Sequence, residues 1–169
     1  MCMSLLVLGG ARSGKSRYAQ ARAEALGGDF VYVATAQALD AEMGERIERH
    51  RADRGPAWTT VEAPLDLAAA IRSGDHPDRV LLVDCLTLWT SNLLLADRDI
   101  DAATGDLVTA LAEAACPVIL VANEVGLGIV PDNALARRFR DEAGRVNQQI
   151  AAAVDEVMFV AAGLPLRFK

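Results

Sequence analysis

Five short apolar runs recur along the chain, and longer segments of helical character separate them. The runs cover residues 5–8, 30–34, 80–83, 118–122 and 157–161. Each run is continuous, without the alternation of apolar and polar residues that marks a half-exposed strand. Continuous runs of this length are typical of strands that are covered on both faces. The pattern therefore predicts five buried β-strands.

Helical patterns fill most of the intervals between the apolar runs. They predict helices over residues 15–26, 40–54, 65–72, 100–115 and 133–154. Strands that alternate with helices indicate a mostly parallel sheet with helices on both sides. We therefore expect an α/β fold in three layers.

The end of the chain and its length complete this architecture. A turn at Gly163–Pro165 precedes residues 164–169, which we expect to form a short, antiparallel edge strand. The chain has 169 residues, which is the usual size of one domain. Because there is no low-complexity linker and no internal repeat, we expect a single domain over residues 1–169.

Composition and charge exclude several classes of protein. Hydrophobic residues make up 52% of the chain and charged residues 24%, which indicates a packed globular domain. The net charge of −6 argues against a nucleic-acid-binding protein, because such proteins need an excess of Lys and Arg. No apolar stretch reaches about 18 residues without a charge, so we expect no membrane span. The first residues have no basic segment, and we expect no secretory signal.

The cysteines indicate a reducing environment. The three cysteines, Cys2, Cys85 and Cys116, are odd in number and far apart, which suits neither a disulfide framework nor a zinc site. Cys85 and Cys116 flank apolar runs, so we expect them to be small buried hydrophobic residues. We expect a cytoplasmic location.

The clearest chemical signal follows the first predicted strand. Residues 9–16 fit the pattern G-x-x-x-x-G-K-[ST] at every fixed position. The eight residues are Gly9, Gly10, Ala11, Arg12, Ser13, Gly14, Lys15 and Ser16. Glycines let successive backbone N–H groups turn towards phosphate oxygens, and the helix that starts at Lys15 directs its positive end at the same anion. The motif predicts a P-loop NTPase-type three-layer sandwich with a mostly parallel central sheet.

The same motif predicts a magnesium–nucleotide site for ATP or GTP. In such loops the lysine, here Lys15, reaches the β- and γ-phosphates, and the hydroxyl of Ser16 ligates Mg²⁺. A second ligand is expected from an acid at the tip of a neighbouring strand, and Asp84 fits this position. Asp84 also fits the N-cap of a helix over the following segment. Thr35, Asn123 and Glu124 follow other strands, where the ligands of such sheets collect.

The two histidines differ in their surroundings. His76 lies in a polar turn, and we expect no role for it. His50 shares a predicted helix face with Met43 and Ile47, on a helix rich in arginine. Neighbouring guanidinium groups disfavour protonation, and a neutral imidazole can attack phosphorus. Two interpretations remain open: a nucleophile beside an arginine phosphate clamp, or a core-edge histidine on a solvated basic helix.

Four segments together resemble a known family. They are GGARSGKSRYA (9–19), YVATAQALDAEMGERIERHR (32–51), VDCLTLW (83–89) and VANEVGLGIVPDNALARRFRDEAGRVNQ (121–148). In this order they resemble the bifunctional adenosylcobinamide kinase / adenosylcobinamide-phosphate guanylyltransferase family of cobalamin biosynthesis. The resemblance covers nearly the whole chain.

The resemblance implies two reactions on one fold. A nucleoside triphosphate first phosphorylates adenosylcobinamide. GTP then donates GMP to adenosylcobinamide phosphate through a covalent GMP–histidine, and the matching position is His50. The resemblance also implies a homo-oligomer with GTP near a subunit boundary. Besides the loop, it implies nucleotide contacts at Ala34, Thr35, Ala36, Arg51, Ala52, Asp53, Arg54, Glu62 and Asp84. A simple small-molecule kinase and a non-enzymatic nucleotide switch are the alternative interpretations of the loop.

Overall fold

The computed structural model describes residues 3–37 and 55–169. The predicted helix over residues 40–54 lies outside these ranges, together with Cys2, His50 and residues 51–54. Within the described part of the chain, no helix is long and apolar enough to cross a membrane.

Seven strands form one sheet in the order β3-β2-β4-β5-β1-β6-β7. The first six are parallel to one another, and β7 runs antiparallel to β6 at the edge. Their bounds are β1 (Ser4–Gly9), β2 (Asp29–Ala34), β3 (Trp58–Glu62), β4 (Arg79–Asp84), β5 (Val118–Asn123), β6 (Glu156–Ala161) and β7 (Leu164–Arg167). The five predicted strands and the antiparallel edge strand are thus confirmed.

The described residues contain five helices. They are α1 (Lys15–Glu24), α2 (Leu67–Gly74), α3 (Leu86–Leu95), α4 (Ile100–Glu113) and α5 (Ala134–Ala153). The predictions over 15–26, 65–72, 100–115 and 133–154 are confirmed, with ends that shift by about two residues as is usual for helix termini. The amide groups at the start of α5 are capped by Asn133, whose side chain accepts from the N–H groups of Leu135 and Ala136.

Helices cover both faces of the sheet, and each face has its own apolar cluster. On one face, Leu5 and Val7 of β1 pack with Ala19 and Ala23 of α1. On the other face, strand residues such as Leu6 pack against the remaining helices. Because successive strand side chains point to opposite faces, a sheet covered on both sides requires apolar residues at every position. This explains the continuous apolar runs of the sequence and confirms the three-layer prediction.

Strand β3 (Trp58–Glu62) was not predicted. Its sequence WTTVE has only two apolar residues, and only Trp58 is buried. The Trp58 ring stacks on Phe30 of β2, with ring centroids 4.9 Å apart. An edge strand is covered on fewer sides, so it does not need the apolar run that identifies a central strand.

Two details at the end of β4 concern Asp84 and Cys85. The alternative prediction that Asp84 caps the next helix is wrong: the N-cap of α3 is Cys85, without a side-chain capping bond. The helix begins one residue too late for the Asp84 side chain to cap it. Cys85 and Cys116 are buried and form no disulfide, as predicted. Burial raises the pKa of the Cys85 thiol to about 11, which favours the unreactive protonated form.

We expect Gly9→Ala to destabilise the fold where β1 meets β6. A Cβ on Gly9 would lie 2.5 Å from the backbone oxygen of Val160 and from the hydroxyl oxygen of Ser13. Overpacking of this kind costs about 1–3 kcal/mol. Gly10→Ala is the matched control, because a Cβ there has no neighbour within 4 Å. Urea unfolding should show the loss for Gly9→Ala only; equal free energies of unfolding for the two variants would contradict the packing described.

We expect Asp155 to contribute a pH-dependent increment of stability. Its carboxylate accepts hydrogen bonds from the hydroxyl and the backbone N–H of Ser4, each 2.8 Å long, and these bonds lower the pKa of Asp155. The contribution is therefore present above about pH 4 and disappears as the pH falls further.

The test compares Asp155→Asn with the wild type by urea unfolding from pH 6 to pH 3. Asp155→Asn should be less stable than the wild type by less than about 1 kcal/mol near neutrality, because the carboxylate is exposed, and this difference should become smaller as the pH falls towards 3. Asp29→Asn, at an exposed position in β2, is the control. A difference that grows on acidification would contradict the assignment.

Candidate active site at the carboxyl edge of the sheet

The predicted site residues gather at one edge of the sheet. β1, β2, β4 and β5 are parallel, so their carboxyl ends face the same way. The loop over residues 9–16 leaves β1 at this edge and leads into α1. The strand–loop–helix context that the motif requires is therefore present.

The backbone of the loop turns at Gly14 immediately before α1. Gly14 has a φ of 94°, a left-handed conformation that glycine adopts without strain. A Cβ at this position would also lie 3.2 Å from the Cα atom of Gly163. The N–H of Gly163 donates to the carbonyl of Ser13 over 2.7 Å, so the β6–β7 turn supports the loop. Glycine at position 14 is required both by conformation and by space.

Two polar side chains of the loop face its own backbone. The ammonium group of Lys15 donates to the carbonyl of Gly10 over 3.1 Å, so Lys15 folds back across the loop. Within the described residues the hydroxyl of Ser13 is buried and has no hydrogen-bond partner. A buried polar atom without a partner is rare in folded proteins and often marks a place where a ligand binds. The loop thus has the geometry of an anion-binding site.

Thr35 links the ends of β2 and β4. It is fully buried, and its hydroxyl both accepts from the N–H and donates to the carbonyl of Cys85, each over 2.8 Å. Asn92 of α3 donates to the carbonyls of Thr35 and Pro64. Because its hydroxyl is bonded to Cys85, Thr35 holds the backbone next to Asp84 in place. Sequence reasoning placed Thr35 at the site but missed Asn92.

The sheet order sets the distances of the acidic residues from the loop. Asp84 ends β4, two strand positions from β1, which is roughly 10 Å at the usual strand spacing. Glu62 ends β3, four positions from β1 or roughly 19 Å, and is exposed. Asp84 is therefore close enough to share an ion with a loop-bound phosphate, whereas Glu62 is suited only to a more distant part of a nucleotide.

Asn123 and Glu124 lie closer to the loop than either of these acids. Asn123 pairs with Gly9 in the β1–β5 register, and the N–H of Glu124 donates to the carbonyl of Gly9 over 3.1 Å. In the described part of the chain, the Oδ1 atom of Asn123 is buried without a partner. Asn147 of α5, which sequence reasoning missed, donates to the Asn123 carbonyl over 3.3 Å. For Asn123 and Glu124, the position at the end of a strand was the signal available in the sequence; Asn147, within a helix, had none.

The structure therefore brings together the loop, Ala34, Thr35, Ala36 and Asp84 at the ends of neighbouring strands. Glu62 lies at the same edge but farther along it. His50, Arg51, Ala52, Asp53 and Arg54 lie outside the described residues. His76 is exposed in its turn, as expected. No group of three or more His, Cys, Asp or Glu that could hold a metal occurs among residues 3–37 and 55–169.

Solved structures share the fold of this chain. The chain is similar to the flagellar accessory protein FlaH from Methanocaldococcus jannaschii, with a TM-score of 0.55 and 13% identity over 99% of this chain and 78% of that one. It is also similar to the P4 protein from bacteriophage phi6 in complex with ADP, with a TM-score of 0.50 and 16% identity over 97% and 54%. At these identities the likeness shows the fold alone, which is that of P-loop NTPases.

Relatives of high sequence identity match along the whole chain. The "Bifunctional adenosylcobalamin biosynthesis protein CobP" of Pseudomonas aeruginosa is 52% identical over 97% of this chain and 96% of its own length. The "Bifunctional adenosylcobalamin biosynthesis protein CobU" of Escherichia coli is 45% identical over 99% of this chain and 100% of its own. The corresponding protein of Salmonella typhimurium is 44% identical over the same shares.

The profile of one family, described as "Cobinamide kinase / cobinamide phosphate guanyltransferase", matches residues 5–168. This range contains the loop, the strand ends around it and the segments on which the resemblance was based. The chain belongs to the cobinamide kinase / cobinamide phosphate guanyltransferase family.

Proposed function

We propose that this chain is a bifunctional enzyme of cobalamin biosynthesis. It phosphorylates the hydroxyl of adenosylcobinamide with ATP or GTP, and then transfers GMP from GTP to adenosylcobinamide phosphate. The observation that carries the proposal is the loop over residues 9–16, set between β1 and α1 at the edge where Asp84 also lies, in a chain of this family. One domain, residues 1–169, performs both reactions.

The loop holds the triphosphate in both reactions. Its backbone N–H groups and the start of α1 face the phosphate oxygens, while Lys15 neutralises the charge that develops on the outer phosphates. The bond from Lys15 to the Gly10 carbonyl supports this role, since it keeps the ammonium group over the loop. The orphaned hydroxyl of Ser13 gains a partner when an anion occupies the loop.

Ser16 and Asp84 fit a Mg²⁺ ion that travels with the nucleotide. A hydroxyl and a carboxylate are hard oxygen donors, and Mg²⁺ is usually bound by one or two such groups together with phosphate oxygens and water. When bound, the ion supplies neutralisation of phosphate charge.

In the guanylyl transfer we propose His50 as the nucleophile. An imidazole nitrogen of His50 forms a bond to the α-phosphorus of GTP, and the bond to the pyrophosphate leaving group breaks. A phosphate oxygen of adenosylcobinamide phosphate then displaces the imidazole, which yields adenosylcobinamide-GDP and free His50. The covalent intermediate divides one difficult transfer into two easier ones. Neighbouring arginines favour the neutral, nucleophilic imidazole.

The remaining nucleotide contacts are proposed from the family resemblance. They are Ala34, Thr35, Ala36, Arg51, Ala52, Asp53, Arg54 and Glu62. Because Glu62 is roughly 19 Å from β1 along the sheet, it is placed at the nucleoside end. The hydroxyl of Thr35 is engaged by Cys85, its N–H by the carbonyl of Asp84 and its carbonyl by Asn92, so its proposed contact with the nucleotide is a packing contact.

We propose a homo-oligomer with GTP near a subunit boundary. Three large apolar side chains in the segment after β5 are exposed on the single chain, which supports this proposal. Leu127, Ile129 and Val130 are 83%, 97% and 60% exposed. Contiguous exposed apolar surface often marks a site of interaction.

Lys15→Ala should abolish both activities, because one loop serves both triphosphates. We expect a loss of at least about 100-fold in each rate, the scale of removing one charge-stabilising group. Lys169→Ala removes the only other lysine, which caps the end of α5, and calorimetry should show unchanged nucleotide binding for this control. Full guanylyl transfer by Lys15→Ala would reveal a separate GTP site.

Incubation with [α-³²P]GTP should label the wild-type enzyme with a bond that is labile to acid and stable to alkali. His50→Ala should carry no label, and His76→Ala is the matched control because His76 lies in an exposed turn. An enzyme that binds GTP and phosphorylates adenosylcobinamide but takes no label would instead be a simple kinase. Slow hydrolysis without dependence on cobinamide would indicate a nucleotide switch.

A further inference from the structure

We propose that Glu124 is a catalytic residue of the kinase reaction: it accepts the proton of the acceptor hydroxyl, whose carrier arm lies in the groove beside it. The inference rests on the proposed function, in that the loop over residues 9–16 holds the triphosphate. It adds the residue that activates the acceptor and the surface by which the acceptor approaches.

The position of Glu124 follows from the sheet order. β5 lies between β1, which carries the loop, and β4, which carries Asp84. The N–H of Glu124 donates to the carbonyl of Gly9, the first residue of the loop, over 3.1 Å. In a triphosphate bound by the loop, the γ-phosphate lies between the lysine and the ion site. Glu124 is therefore next to the phosphate that is transferred.

The other acids at strand ends are less suited to this task. In the described part of the chain, three parallel strands end at or just before a carboxylate: β3 at Glu62, β4 at Asp84 and β5 at Glu124. Glu62 is roughly 19 Å from β1. Asp84 fits the ion, and an ion-bound carboxylate has its charge neutralised and is a poor proton acceptor. Glu124 is the acid that is both near the loop and separate from the ion.

The carboxylate of Glu124 is held in a defined orientation. Its Oε1 atom accepts from the N–H of Gly126 over 2.5 Å, and a side chain at position 126 would crowd that oxygen, since a Cβ would lie 2.9 Å away. In the preceding residue, Asn123, the Oδ1 atom is buried and lacks a partner within the described residues. The fixed carboxylate can accept a proton from a bound hydroxyl group, and the unpaired atom of the preceding residue is a sign that a polar ligand binds near this strand end.

A groove of about 490 Å³ opens beside Glu124. Its walls include Leu8, Val157 and Phe168, which are apolar, and Asn147 and Gln148, which carry amide groups. The groove is therefore suited to a slender amphipathic arm that ends in an alcohol, with the bulk of the acceptor outside. Because Glu124 is part of the lining, an alcohol bound at this residue lies at the carboxyl edge of β5, next to the loop.

The step that follows balances in atoms and charge. The hydroxyl oxygen of the acceptor forms a bond to the γ-phosphorus, and the bond from that phosphorus to the bridging β–γ oxygen breaks. The nucleoside diphosphate leaves with the bond's electron pair, and the hydroxyl proton passes to the Glu124 carboxylate and then to water. Guanylyl transfer needs no such acceptor, because the attacking atoms, an imidazole nitrogen and a phosphate oxygen, each have a lone pair and carry no proton.

The test compares the two activities in the same variant. Glu124→Gln should lower the rate of phosphoryl transfer to adenosylcobinamide by about 100-fold, the lower range for loss of a general base. Guanylyl transfer onto supplied adenosylcobinamide phosphate, and the Kd of ATP, measure whether the loop is intact. The ratio of phosphoryl to guanylyl transfer should therefore fall by about the same 100-fold, and most of the loss should be in kcat.

Two further variants complete the experiment. Glu124→Asp retains a carboxylate and should recover at least about tenfold of the phosphoryl-transfer rate over Glu124→Gln. Glu113→Gln is the control, since Glu113 ends α4 and pairs with Arg72 away from the loop; its ratio should equal that of the wild type.

An unchanged ratio in Glu124→Gln overturns the proposal, whether both rates fall together or neither falls. Failure of Glu124→Asp to exceed Glu124→Gln also overturns it. A wild-type enzyme without phosphoryl transfer to adenosylcobinamide contradicts the proposed function itself, so the two failures are distinguishable.

Discussion

Backbone contacts on both sides of Gly9 hold the phosphate loop, and the geometry of the site depends on them. Gly9 pairs with Asn123 of β5 on one side and with Val160 of β6 on the other. The space at Gly9 is so small that a Cβ would meet the Val160 carbonyl oxygen at 2.5 Å. Farther along the loop, Gly163 supports Ser13 from the β6–β7 turn. Because the loop is fixed at both ends, its N–H groups are oriented before any anion binds, so little ordering entropy is lost on binding.

The position of β1 inside the sheet has a chemical consequence. Its neighbour β5 and the next strand, β4, end at the same edge, so an amide and two carboxylates lie at increasing distances from the loop: Asn123, Glu124 and Asp84. The hydrogen bonds between Thr35 and Cys85 fix the end of β4 within the protein itself, so this strand end is in place before a substrate binds. Phosphoryl transfer needs positioned charges more than covalent chemistry. The ends of strands in a sheet can hold charged groups in fixed positions with little further loss of conformational entropy, because the strands are already rigid.

Much of the site was predictable because its chemistry depends on local sequence. The motif over residues 9–16 requires glycines at set positions, and Gly14 indeed has the left-handed conformation that the motif needs. Asp84 was predictable because it follows an apolar strand. The role of Asp84 as a helix cap was wrong, since the helix begins one residue later than its side chain can serve. The edge strand β3 was missed because a partly exposed strand carries no continuous apolar run.

The sequence by itself determined the strand and helix alternation, the phosphate loop and the family resemblance, because each is written in residues close together along the chain. Only the tertiary structure decided the order of the strands, and with it the roughly 19 Å between Glu62 and β1 and the contact between Glu124 and Gly9. These relations join residues more than fifty positions apart, and no local pattern of apolar and polar residues specifies which parallel strands become neighbours. The order of the strands is decided by the packing of the helices against both faces of the sheet, which involves the whole chain.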